Sequence, residues 1–174
     1  MVVSLVGYMG SGKSHISKLL SNRLGIPALD LDEIIAQSTG YSTTQYFEKF
    51  GELSFRKQER AVLLETLQSK EDLVLSLGGG TPVYYDNMDQ ILKFSTCIYL
   101  RAAVGTLNSR LLSERSSRPL LARIPEQDLA EFIAKHLFER SPTYSRAHHT
   151  VSTDLQTPEQ TTEQILSLVD LVPR

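Results

Sequence analysis

The sequence predicts an α/β fold: a doubly wound, five-stranded parallel sheet flanked by helices. Three observations carry the prediction. Short apolar runs alternate with longer amphipathic stretches, the pattern of a parallel sheet covered on both faces. The first run leads directly into Gly7-Tyr8-Met9-Gly10-Ser11-Gly12-Lys13-Ser14, which fits the phosphate-binding pattern G-x-x-x-x-G-K-[ST]. With 174 residues and 41% of them hydrophobic, the chain has the size and apolar content for one packed domain spanning 1–174.

Taken in order, the strands are Val2–Val6, Ala28–Leu31, Leu73–Leu77, Thr96–Leu100 and, weakest, Thr150–Ser152. Right-handed crossovers between them place helices on both faces. The first helix runs from Lys13 to Leu24. Ser42-Thr43-Thr44-Gln45 reads as a capping box before Tyr46, Phe47 and Phe50. Leu53–Leu67 carries Phe55, Val62, Leu63 and Leu67 at helical spacing. Asp86–Phe94 and Val104–Leu112 are crossover helices. Glu126–Glu139 aligns Leu129, Phe132, Ile133 and Leu137 on one stripe. Thr157-Pro158-Glu159-Gln160 is a second capping box, with proline at the first helical position, opening a helix to about Leu168. Two segments break the alternation. Residues 33–60 hold more helix than a crossover requires, as a substrate-holding insertion would. Residues 113–125 are charged, contain two prolines and read as a mobile lid.

Each part of the phosphate motif has a physical reason. Glycines let the loop curl and let backbone N–H groups reach phosphate oxygens. The N-terminus of the following helix adds open donors and partial positive charge. Lys13 brings a full charge to the β- and γ-phosphates, and the Ser14 hydroxyl is placed to ligate Mg2+. Gly10, Ser11, Gly12, Lys13, Ser14 and His15 are therefore the expected core of a nucleoside-triphosphate site.

Composition narrows the classes. A net charge of −2 argues against a general nucleic-acid or anionic-membrane binder. No apolar run approaches the ~20 residues needed to span a bilayer. Met1 runs straight into the first strand, leaving no room for a signal peptide. One cysteine, Cys97, cannot form an internal disulfide and suits a reducing cytosol. The four histidines lack metal-ligand spacing with it, so no zinc site is expected.

The remaining polar clusters fall at carboxyl ends of strands, where ligands bind in such sheets. Asp30 and Asp32 flank Leu31 at the end of the second strand. Strand geometry would put both carboxylates on one side, above the phosphate loop, one for Mg2+ and one for an attacking hydroxyl. Equally, Asp32 could simply cap the next helix. Gly78-Gly79-Gly80 after the third strand forms a backbone wall against a ligand or a tight turn into Thr81-Pro82. Arg56, Arg110, Arg115, Arg118 and Arg140 are candidate anion forks. Taken singly, each reads first as a solvated surface charge.

Together these residues resemble the shikimate kinase family almost end to end. The matches are the phosphate loop, Asp30-Leu31-Asp32, Gly51-Glu52 with Phe55-Arg56 and Glu59, Gly78-Gly79-Gly80, Arg118-Pro119-Leu120-Leu121, and Arg140 with Pro142 and Tyr144. The resemblance implies ATP-dependent phosphorylation of the shikimate 3-hydroxyl, on the route to chorismate and the aromatic amino acids. It implies a cytoplasmic monomer acting on small molecules, with no nucleic acid or membrane partner. By resemblance, Lys13, Asp32 and Arg118 are catalytic, with Asp32 the base and Arg118 the lid arginine on the ATP phosphates. Asp32, Gly78, Gly79, Gly80, Arg56 and Arg140 bind substrate, the two arginines gripping its carboxylate. Ser14 and, through water, Asp30 match the Mg2+ site. Arg110 and the Gln156–Pro158 region match adenine contacts, although Arg115 competes with Arg110 and Gln156 stands where some relatives have arginine. His15 replaces the family's usual threonine.

Gluconate kinase is the nearest rival, since it too would need a carboxylate grip. Adenylate kinase would need a second base pocket. A nucleotide-dependent switch would need Asn-Lys-x-Asp or Asp-x-x-Gly motifs, and neither is present. An inactive nucleotide-binding module is disfavoured by the intact Lys13, Ser14 and Asp32.

Overall fold

In the computed structural model, which describes residues 1–69, 71–114 and 119–169, β1 (Val2–Val6) is buried along its whole length at the centre of the sheet. β2 (Ala28–Asp30) and β3 (Leu73–Ser76) lie to one side of it, β4 (Thr96–Arg101) and β5 (His149–Ser152) to the other. The order is β2-β3-β1-β4-β5, and every pairing is parallel. The connection therefore reverses direction across β1. The crevice at its carboxyl end is the topological switch point where such sheets bind ligands.

Period-two alternation divides the core in two. Val3 and Leu5 of β1, Val74 of β3, and Ile98 and Leu100 of β4 point to one face. There α1 (Lys13–Leu24) and α9 (Pro158–Val169) cover them with Ile16, Leu20, Ile165 and Val169. Val6, Leu73, Leu75, Cys97 and Tyr99 point to the other face. It is covered by α2 (Leu31–Thr39), α4 (Glu52–Gln68), α5 (Asn87–Phe94), α6 (Val104–Ser113) and α8 (Leu129–Tyr144). α3 (Thr43–Phe50) completes a helical insertion beside α4, and α7 (Pro119–Ala122) follows α6. No helix among the described residues is long and apolar enough to cross a membrane.

Both capping boxes form. Gln45 N–H donates to Ser42 Oγ while Ser42 N–H donates to Gln45 Oε1. Thr157 and Gln160 do the same ahead of α9. Two sequence expectations shift. β2 stops at Asp30, and Leu31 already belongs to α2, so strand alternation never reaches Asp32. The reason is local: Asp30 caps α2, its Oδ1 accepting the Asp32 N–H at 3.0 Å. The helix expected over Glu126–Glu139 instead opens with a 3-10 turn (Glu126–Asp128), and α8 then runs through Pro142 to Tyr144. Pro142 removes one backbone donor in the last turn, a loss the helix end tolerates. The extension carries Arg140 and Tyr144 on one face, four residues apart.

Candidate active site

Gly7 leaves β1 with φ +147°, and a Cβ there would lie 2.6 Å from the Leu100 carbonyl oxygen. Only glycine fits this turn off the central strand. Gly12 (φ +98°) caps α1 without a side-chain hydrogen bond, and Gly12, Lys13 and Ser14 line the cleft, so the positive end of the helix faces it. Lys13 Nζ donates to the carbonyls of Gly7 (2.8 Å) and Tyr8 (3.0 Å), holding its charge over the loop.

The loop floors a cleft of about 770 Å3, within the roughly 300–1,000 Å3 typical of small-molecule sites. Gly10, Ser11, Gly12, Lys13, Ser14 and His15 all line it, together with Asp30, Asp32, Gly78 and Gly79. Arg110 and Gln156 line it as well. Arg110 donates to the Gly10 carbonyl (3.2 Å), the Thr153 carbonyl (2.8 Å) and Thr153 Oγ1 (3.1 Å). It thus ties the phosphate loop to the segment after β5. Gln156 donates to Gln164 Oε1 at 3.3 Å. Arg115 and Arg118 lie outside the described residues.

Asp30, not Asp32, caps α2, and both acids line the cleft although no strand alternation places them there. Burial pushes the Asp32 carboxyl up to about 6, and the negative charges of Asp30 and Glu59 push in the same direction. A hydrogen bond from Thr43 and the Lys13 charge pull it back. A carboxyl poised there can accept a proton near neutral pH. Among the described residues no three metal-ligating side chains cluster. Ser14 and the two aspartates nevertheless bring hard oxygen donors to the same cleft as Lys13. That donor set suits Mg2+, which takes few protein ligands and completes its shell with phosphate and water.

The two arginines do not line this cleft; they stand beside the glycine run that forms its wall. A Cβ on Gly80 would lie 2.9 Å from Arg56 Nη2, and one on Gly79 would lie 3.5 Å from Arg140 Nη1. A Cβ on Gly78 would lie 3.7 Å from the Asp32 carboxylate. Three successive glycines thus bring an acid and two guanidinium groups to one strip of backbone. Arg56 donates to Glu59 Oε2 at 2.7 Å, with Glu52 at 3.6 Å, and lies over the Tyr84 ring. Its buried Nε has no hydrogen-bond partner. Glu59 is itself buried and accepts from Thr81 Oγ1 at 2.6 Å, which fixes Arg56 from below. Arg140 hydrogen-bonds to the Tyr144 hydroxyl, which donates in turn to the Gly79 carbonyl.

Sequence reasoning gave no site role to Thr43, Glu59, Thr81, Tyr144 or Thr153. The spacings Arg56–Glu59 and Arg140–Tyr144, one helical turn each, were the available signal for two of them. Nothing in the sequence pointed to a role for the others.

A family model described as shikimate kinase matches residues 9–170. The shikimate kinase of Flavobacterium johnsoniae is 44% identical over 172 residues, covering 96% of this chain and 98% of its own. That of Bacteroides fragilis is 36% identical, covering 87% and 84%. Among solved structures, shikimate kinase from Bacteroides thetaiotaomicron superposes with a TM-score of 0.91 at 30% identity, over 98% of this chain and 99% of the other. Shikimate kinase from Acinetobacter baumannii in complex with shikimate gives 0.86 at 31% identity, over 97% and 92%.

Proposed function

The chain belongs to the shikimate kinase family, and on that premise we propose how its residues divide the work. The reaction is ATP-dependent phosphorylation of the shikimate 3-hydroxyl, giving shikimate 3-phosphate and ADP. The N-terminus of α1 and Lys13 seat the β- and γ-phosphates. Ser14 and, through water, Asp30 would hold Mg2+, which supplies charge neutralisation on the phosphate oxygens when bound. Asp32 orients the 3-hydroxyl and accepts its proton as the oxygen attacks the γ-phosphorus. Arg56 and Arg140 grip the carboxylate of the acid, with the Gly78–Gly80 backbone as the wall between them. Arg110 and Gln156 border the nucleotide's base. Arg118 is assigned to the γ-phosphoryl on the family resemblance, and residues 113–125 to the lid that excludes water. Residues 33–60 are the substrate-holding insertion. We place the enzyme in the cytoplasm, working as a monomer.

The observation that carries this reading is the glycine strip. It sets one carboxylate and two guanidinium groups beside a phosphate loop, the inventory a small monoanionic polyol requires. A second nucleotide would ask instead for another base pocket. The test is a coupled ADP-release assay with shikimate, gluconate, AMP or no acceptor. Turnover is expected with shikimate alone. Comparable kcat/KM with gluconate would replace the substrate assignment, and turnover only with AMP would replace the class.

A further inference from the structure

Tyr8 occupies a variable position of the phosphate loop, where no part of the nucleotide chemistry needs a phenol. It is nonetheless among the largest fully buried side chains, at 1% exposure. A buried phenol needs a partner. Its hydroxyl lies 3.1 Å from Nδ1 of His136, a residue 128 positions away on α8. The two rings meet edge to face at 6.1 Å and 69°. Phe132 packs against His136 at 4.1 Å. His136, Arg140 and Tyr144 follow one another at single-turn spacing, so one stripe of α8 carries all three. The Arg140 guanidinium carbon lies 5.7 Å from the centroid of the Tyr8 ring, within cation–π range.

The two arginines of the grip are supported in different ways. Arg56 is braced by Glu59 and Glu52. Among the described residues, no carboxylate lies within ion-pair distance of Arg140. Its charge therefore remains available to a ligand, but a long side chain without a carboxylate brace would lose many rotamers on binding. Its hydrogen bond to the Tyr144 hydroxyl holds one edge of the guanidinium, and its face needs a second support. Burial, then the Arg140 charge, pushes His136 below its ordinary range, which favours the neutral imidazole with one ring nitrogen free to accept. Burial also pushes Tyr8 up to about 12, keeping its hydroxyl a donor.

We propose that Tyr8 and His136 are positioning residues for the acid-binding arginine. Their hydrogen bond fixes the Tyr8 ring as a floor beneath Arg140, so the guanidinium meets the carboxylate already oriented. The same tyrosine's carbonyl accepts from Lys13, so the floor belongs to the loop that seats the phosphates. This inference rests on the reading of Arg140 as a carboxylate grip.

The test is steady-state kinetics and thermal unfolding of His136→Leu, Tyr8→Phe, their double variant, and His136→Leu in an Arg140→Ala background. His136→Leu leaves the buried phenol without its acceptor. Shikimate KM should rise about three- to tenfold, with kcat and ATP KM within about twofold. Tyr8→Phe breaks the same bond from the other side and should raise shikimate KM by a similar factor, and the double variant by no more than either alone. In thermal unfolding, adding Tyr8→Phe should recover most of the Tm lost in His136→Leu, because the stranded hydroxyl is gone. In the Arg140→Ala background His136→Leu should have no further effect on shikimate KM. Equal increases in both KM values, no change in shikimate KM, or an effect that persists without Arg140 would each overturn the proposal. If Arg140→Ala alone leaves shikimate KM unchanged, the carboxylate-grip reading fails and takes this proposal with it.

Discussion

Replacing Asp32 with asparagine should destroy activity and, at neutral pH, stabilise the fold. The folded-state carboxyl titrates at about 6 against its ordinary 3.8. A raised carboxylate pKa means the folded state binds its proton more tightly than the unfolded state does. The sign follows: at pH below 3.8 the group costs nothing, the penalty grows as pH rises from 3.8 to about 6, and it is complete above 6. A gap of about two pH units at ~1.36 kcal/mol each amounts to about 3 kcal/mol. The introduced amide carries no charge to desolvate beside Asp30 and Glu59, and it keeps an oxygen for the Thr43 hydrogen bond. Asp32→Asn should therefore gain about 2–3 kcal/mol at pH 7.5, or ~4–12 °C in Tm for a domain of this size, and almost nothing at pH 4. Urea unfolding at both pH values measures the gain. The wild-type kcat/KM for shikimate should fall on the acid side with an apparent pKa near 6, the free-enzyme value. An equal gain at pH 4 and 7.5, or a loss at 7.5, would refute the electrostatic account. It would mean that Asp32 is held by its contacts rather than strained by its neighbours.

Other substitutions separate the two halves of the site. Lys13→Ala should lower kcat by at least about a hundredfold; near-normal turnover would remove the phosphate loop from the mechanism. Arg56→Ala or Arg140→Ala should raise shikimate KM roughly 10- to 100-fold, the scale of a lost charged hydrogen bond, with ATP KM nearly unchanged. Equal losses for both ligands would count against the carboxylate grip. Arg110→Ala, by removing three bonds that tie the phosphate loop to Thr153, should raise ATP KM and lower Tm while sparing shikimate KM; the reverse pattern would assign Arg110 to the acid.

Much of this protein could be read from local sequence. The phosphate loop, the apolar runs that become strands and both capping boxes depend on residues within a few positions of one another, and local backbone and side-chain geometry fixes them. The proposed roles of Arg56 and Arg140 were legible only through family resemblance, since an isolated arginine carries no mark of its ligand. The aspartate pair lay at the limit of legibility: a one-residue difference in where β2 ends decides whether Asp30 or Asp32 caps α2. Spacing cannot resolve that difference. Tertiary packing alone decided the rest. Thr81 meets Glu59, Tyr144 meets the Gly79 carbonyl, and Tyr8 meets His136 across 22, 65 and 128 positions of chain. Such pairs leave no periodicity in the sequence, because they exist only after the sheet has closed and the helices have chosen their faces. The sequence alone determined which chemistry the chain could attempt; the packed structure decided which side chains hold that chemistry in place.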